Sequence, residues 1–205
     1  NMEDNTRWYT ATNGGGTRMD SDVRNAKALL PQDNAYFDAN SVTGTTTVDQ
    51  NMPRVGRTLD FTGVGAMNFH INNITQVMYG SLILANNVTM TVPYTSNNIS
   101  FQGRGAFNLN PSGKNTGSFY VQAINGSITL LGNVNIGNDR HFALNNGTFD
   151  ADIYNMSTGN VIITGTAVRT LWMGSGTWTI GHYSWDLGTT TNLTNPTTLG
   201  ETSTI

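Results

Sequence analysis

The stretch "RTLWMGSGTWTIG", residues 169–181, decides how this chain is read. Gly-Ser-Gly separates two runs of large residues, each holding a tryptophan. A glycine turn that binds an anion should open a helix. Here an alternating run follows instead. In "GTWTI", Trp178 and Ile180 fall on one side and Thr177 and Thr179 on the other, the two-residue period of a strand. The stretch therefore reads as two strands and a corner. Gly174 and Gly176 stand where the backbone must bend tightly.

The same five-residue phrase recurs outward from this point: glycine, a small polar residue, an apolar residue, any residue, an apolar residue. It occurs as "GSLIL" at 80, "GSFYV" at 117, "GSITL" at 126, "GNVNI" at 132, "GTFDA" at 147, "GNVII" at 159 and "GTWTI" at 176. The spacings are uneven, but 126 to 147 is 21 residues and Gly159 to Gly181 is 22. Either fits one coil of a parallel β-helix, in which strands stack on themselves every turn. A sandwich or barrel would also alternate, but gives no reason for the phrase to repeat, so a β-solenoid is the expected fold.

Composition agrees. Of 205 residues, 31 are Thr, 27 Asn and 23 Gly, only 11% are charged and the net charge is −3. Thr favours strands, and Asn and Gly favour turns. Low charge separates the chain from the usual disordered sequence. The absence of Cys excludes a disulfide framework and thiolate metal sites. The scattered Lys and Arg form no basic run, which excludes a nucleic-acid footprint. The apolar runs are far too short for a membrane-spanning helix. Eight of the 13 carboxylates precede residue 61, and none lies between Asp60 and Asp139. This predicts a polar N-terminal cap over residues 1–44 and a nearly uncharged β-helix over 45–205, cut from a longer protein. Within the cap, "DSDVRNAKALLP" (20–31) is the one expected helix, ended by Pro31.

Several phrases also resemble β-strand-repeat proteins of tailed bacteriophages and metagenomic viruses. They are "DNAYFDANSVTGTTTVDQN" (33–51), "RTLDFTGV" (57–64), "LNNGTFDADIYN" (144–155), "VRTLWMGSGTWTIG" (168–181) and "WDLGTTTNLT" (185–194), in that order. Residues 7–32 depart from the pattern. The resemblance implies a right-handed parallel β-helix in a virion structural protein such as a fibre, spike or capsid decoration. It brings no catalytic motif and no cofactor.

Candidate chemistry is sparse. Asp150 and Asp152, two apart on a strand, would point to one side about 7 Å apart. Such a pair could serve glycoside hydrolysis or calcium, but a solvated outer face is the expectation, with Phe149, Ala151 and Ile153 inward. His70, His141 and His182 have no partner at metal-ligand spacing in sequence. Trp172, Trp178, Tyr183 and Trp185 crowd together. Trp178 is expected inside, while Trp172, Tyr183 and Trp185 are candidate glycan or partner contacts. The seven Asn-x-Ser/Thr triplets, Asn125 and Asn146 among them, are what chance gives at this composition. The expected function is a non-enzymatic phage appendage that could bind a host-surface glycan, with no cofactor and no metal, associating with other virion proteins or with itself, as a trimer in the common phage arrangement. The alternatives are a polysaccharide-degrading tailspike-like enzyme and a secreted bacterial adhesin.

Overall fold

Short alternating runs that end in Gly or Asn can bury one side only if further runs stack above and below them. The computed structural model shows that arrangement. It describes residues 9, 30–42, 46–51, 54, 56–72, 75–92, 98–181, 185–186 and 196–199. None of these is helical. The expected helix over 20–31 lies outside the described residues except for Leu30 and Pro31.

All the strands pair in parallel, and the chain passes through up to three strand positions per coil. The first face stacks β1 (Asn34–Tyr36), β3 (Thr58–Asp60), β6 (Leu82–Ile83), β9 (Ala106–Asn110), the end of β10 (Ser118–Leu130), the end of β11 (Val134–Asp150), β13 (Arg169–Trp172) and β16 (Pro196–Leu199). The second position holds a three-stranded sheet of β2 (Thr46–Gln50), β4 (Met67–Ile71) and β7 (Val88–Thr91). In later coils the start of β11, β12 (Met156–Ile162) and β14 (Trp178–Ile180) occupy it. The third face stacks β5 (Gln76–Met78), β8 (Asn98–Phe101), the start of β10, the middle of β11, the end of β12 and β15 (Trp185–Asp186). The fold is a parallel β-solenoid. Among the described residues its first paired strand, β1, lies inside the segment expected to be a cap.

The uneven spacing of the repeated phrase now has a cause. It opens strands on all three faces: at 80, 126 and 147 on the first, 132 and 176 on the second, 117 and 159 on the third. Three interleaved series share one chain. Within a series the step is one coil, as in Leu59 over Leu82, Ile128 over Phe149 and Val134 over Met156.

Register places like side chains over like. Leu59, Leu82, Leu109 and Leu130 form one inward column. Ile99, Phe119, Phe142 and Val161 form another. Aromatic rings run along the axis. Phe142 lies 5.0 Å from Phe119, 4.7 Å from Phe149 and 6.1 Å from Trp178, between ring centroids. Lower down, Phe37 stacks on Phe61 at 4.4 Å. Offset and tilted rings at such distances add to the burial of large apolar surfaces. Trp178 is 1% exposed, and its Nε1–H donates to the Met173 carbonyl at 3.1 Å. In the lower core Gln50 and Gln76 form a polar pair, joined amide to amide at 2.7 Å.

The corner at 174–176 is as tight as the sequence requires. Gly174 has φ +68°, and a Cβ there would sit 1.5 Å from the Asp152 carbonyl oxygen of the coil beneath. One expectation fails at the matching corner below. Ile153 is 64% exposed, because β11 ends at Asp150 and the chain turns through Asp152 at φ +51° before Ile153. The alternation of Phe149 and Ala151 stops there.

Two results are expected in urea denaturation. Phe142→Ala costs about 3–5 kcal/mol, whereas Ile124→Ala, at a half-exposed corner, costs about 0.5 kcal/mol or less. Gly113→Ala reports the cost of a left-handed backbone alone, about 1–2 kcal/mol, because its φ is +71° and nothing lies within 4 Å of the added Cβ. Gly174→Ala adds a backbone clash and costs distinctly more.

Candidate functional site

In a solenoid whose inside is filled, sites must be built on the outer columns. Several of the outer polar side chains described bond to each other across coils. Asp49 stands beside His70 in register, and its Oδ1 lies 2.9 Å from His70 Nδ1. Asn72 reaches Asn51 Oδ1 at 3.0 Å. Gln102, Ser100 and Gln122 form a triangle with sides of 3.1–3.2 Å. Tyr120 and His141 meet hydroxyl to Nε2. At the corner before the second position, Asn133 Oδ1 accepts from the Asn155 backbone N–H at 2.9 Å. Asn155 Oδ1 accepts from Thr177 at 2.8 Å. Stacked asparagines thus tie three successive coils, satisfying backbone donors that the turn would otherwise leave unpaired.

Two of the concavities lined by described residues lie on the outside of the solenoid. One, about 510 Å³, is lined by Thr62, Leu84, Ala85, Asn86, Asn87, Asn110 and Ser112. Three of its polar side chains are already engaged. Asn87 Nδ2 bonds to the Val64 carbonyl, Ser112 Oγ donates to the Leu84 carbonyl at 2.7 Å, and Asn110 Oδ1 accepts from the Ser112 backbone N–H at 3.0 Å.

The other, about 550 Å³, runs along the corner between the third and first faces. Its central column is Ala106, Ser127, Thr148 and Thr170, paired coil over coil. One residue earlier stand Gly105, Gly126, Gly147 and Arg169, and before those Arg104, Asn125, Asn146 and Val168. The glycines keep the floor bare. A Cβ on Gly147 would meet the Ala123 carbonyl oxygen at 2.1 Å. The position taken by glycine in the coils below is filled at the upper end by Arg169. Its side chain is buried at 1% exposure and donates from Nη1 to the Ala167 carbonyl at 2.8 Å. Burial pushes the pKa of this guanidinium below its usual value. The side chains of Asn125, Ser127, Asn146, Thr148 and Thr170 hold no hydrogen bond to another described residue.

The residues singled out in the sequence are placed as follows. Trp172 is 40% exposed, on the outward side of β13 two residues from Thr170. Trp185 is half-buried and packs on Trp178 at 6.1 Å. Tyr183 and His182 lie outside the described residues. Asp150 and Asp152 do not share a strand face, because Asp152 sits in the turn and its backbone N–H donates to Asp150 Oδ1 at 2.9 Å. No three His, Asp or Glu side chains converge as a metal site among the described residues. His70 and His141, isolated in sequence, both gain partners from one coil away. Sequence reasoning missed the groove and set its Asn-Gly-Ser and Asn-Gly-Thr triplets down to chance. Their signal was the 21-residue step from Asn125 to Asn146.

Burial lowers the pKa of His141 and raises that of Tyr120. Neutral His141 can accept the Tyr120 hydroxyl proton at Nε2, whereas the imidazolium cannot. Because the folded chain holds the imidazolium proton of His141 less tightly than the unfolded chain does, unfolding takes one up. The resulting stability is present above about pH 6.5 and falls as the pH drops through that value toward the lowered native pKa. His141→Gln is therefore expected to flatten the loss of unfolding midpoint between about pH 7.5 and about pH 5.5, measured by urea titration at each pH.

No protein-family model, curated protein or solved structure matches this chain.

Proposed function

We propose that the chain is a non-enzymatic structural segment of a phage appendage, displayed on the outside of the virion. The observation that carries this reading is the continuous parallel ladder with its matched core columns, from β1 to β16. Such a stack is a stiff element whose length grows with the number of coils. Its outer columns carry hydroxyls and amides, several of them bonded across coils, a surface with little charge that suits display. The resemblance of residues 33–205 to phage β-strand-repeat proteins supplies the particle. Partners in this reading are other virion proteins or further copies of the chain, and the work done is mechanical.

The test is mass spectrometry of purified virions from the source phage, with antibody labelling in electron microscopy. Peptides of this chain should co-purify with infectious particles, and label should lie on an external structure. Recovery only from the secreted fraction of a bacterium would transfer the chain to the adhesin reading. Depolymerisation of capsule by the purified protein would transfer it to the enzyme reading.

A further inference from the structure

The two concavities differ in one respect that bears on binding. In the smaller, the side chains of Asn87, Asn110 and Ser112 are bonded to the protein itself. In the larger, five polar side chains on three successive coils are not, and they face an open groove of about 550 Å³. Beside them are Val168, 66% exposed, and Trp172, 40% exposed, on alternate outward positions of one run with Thr170 between them. Surface polar groups without partners are ordinary. A concave row of them flanked by an exposed indole is a more specific arrangement.

We propose that this groove binds a neutral oligosaccharide lying along the solenoid axis. Asn125 and Asn146 would offer amide donors and acceptors. Ser127, Thr148 and Thr170 would offer hydroxyls, and Trp172 a face for a sugar ring. The column from Ala106 to Thr170 covers three coil steps, about 14 Å at about 4.8 Å each. A pyranose unit is close to one such step in length, so hydroxyl groups can recur in register with the protein's.

The chemistry of the lining selects against other ligands. Among the described residues, Arg104 at one end is the cation that lines it, Arg169 at the other end is buried, and on the same face Asp150 pairs in register with Trp172. A nucleic acid or polyanion would need a basic stripe. An apolar ligand would need an enclosed apolar lining. A peptide adding as a strand would need an open sheet edge, and the groove strands β10 and β11 are paired on both sides. The proposal does not rest on the phage reading. A display rod and an adhesin could each use such a groove.

The test is a glycan array carrying neutral and acidic oligosaccharides, probed with the fluorescently labelled chain. Neutral glycans should be retained. The isosteric double substitution Thr148→Val/Thr170→Val, which removes two hydroxyls and keeps β-branched strand residues, should weaken retention about tenfold or more, as should Trp172→Ala. Asn86→Ala, in the other concavity, should leave retention unchanged. Should any variant fold poorly, the wild-type chain still reports. Amide NMR shifts on adding a retained glycan should concentrate at Gly126, Gly147 and Thr170. Retention of acidic glycans alone, retention of none, or shifts that avoid this corner would overturn the proposal. Any of these would leave the virion assignment standing, as failure of the particle experiment would leave the groove.

Discussion

The constraint on which everything else depends is the hydrogen-bonded stacking of one coil on the next. Parallel strands about 4.8 Å apart leave no freedom of lateral register once the backbone bonds are made. Each side chain therefore meets the side chain at the same position one coil away. Leucine over leucine and phenylalanine over phenylalanine follow because a narrow core must be filled to the same width at each level. The corners obey the same rule with less room. Gly147 and Gly174 lie almost in contact with the backbone beneath, where any side chain would force the coils apart.

Stacking also governs the polar residues. A polar side chain on an outer column has a neighbour one coil below and another above, so it can be satisfied without water. Asp49 with His70, Gln102 with Gln122, and Asn133 with Asn155 are satisfied in this way. This explains how the rod stays polar outside with little charge. It also gives the unengaged columns meaning by contrast. Where the chain could have paired amides with hydroxyls across coils, between Asn125 and Thr170, those groups face a groove instead.

The fold was legible because stacking writes itself into the sequence as repetition. The phrase beginning at Gly126 and Gly147 showed the coil length, and Trp178 with Ile180 showed which side was buried. Other features were hidden for the same reason. Three faces share one phrase, so its spacing looked irregular until each occurrence was assigned to a face. Alternation predicted Ile153 inside, but a left-handed turn at Asp152 ended the strand before it. The partners of His70 and His141 lie 21 residues away, a distance at which sequence reading does not look for a hydrogen bond unless the coil length is already known. Arg169 was missed because its burial depends on a glycine column below it.

That last point says how a repetitive fold acquires a site. If each coil were identical, each outer column would be uniform, and no position would differ from its neighbours. The larger groove exists because its columns are not uniform. Asn-Gly-Ser and Asn-Gly-Thr occupy two coils, Arg104 with Gly105 stands at one end, and Val168 beside the buried Arg169 stands at the other. Beyond Thr170, the column that carries Thr129 and Asp150 changes to Trp172. The stacking fixes where these side chains stand, coil by coil, and the departures from repetition fix what they can recognise. In such a protein the repeated residues carry the architecture, and the exceptions along one column are where binding is to be sought.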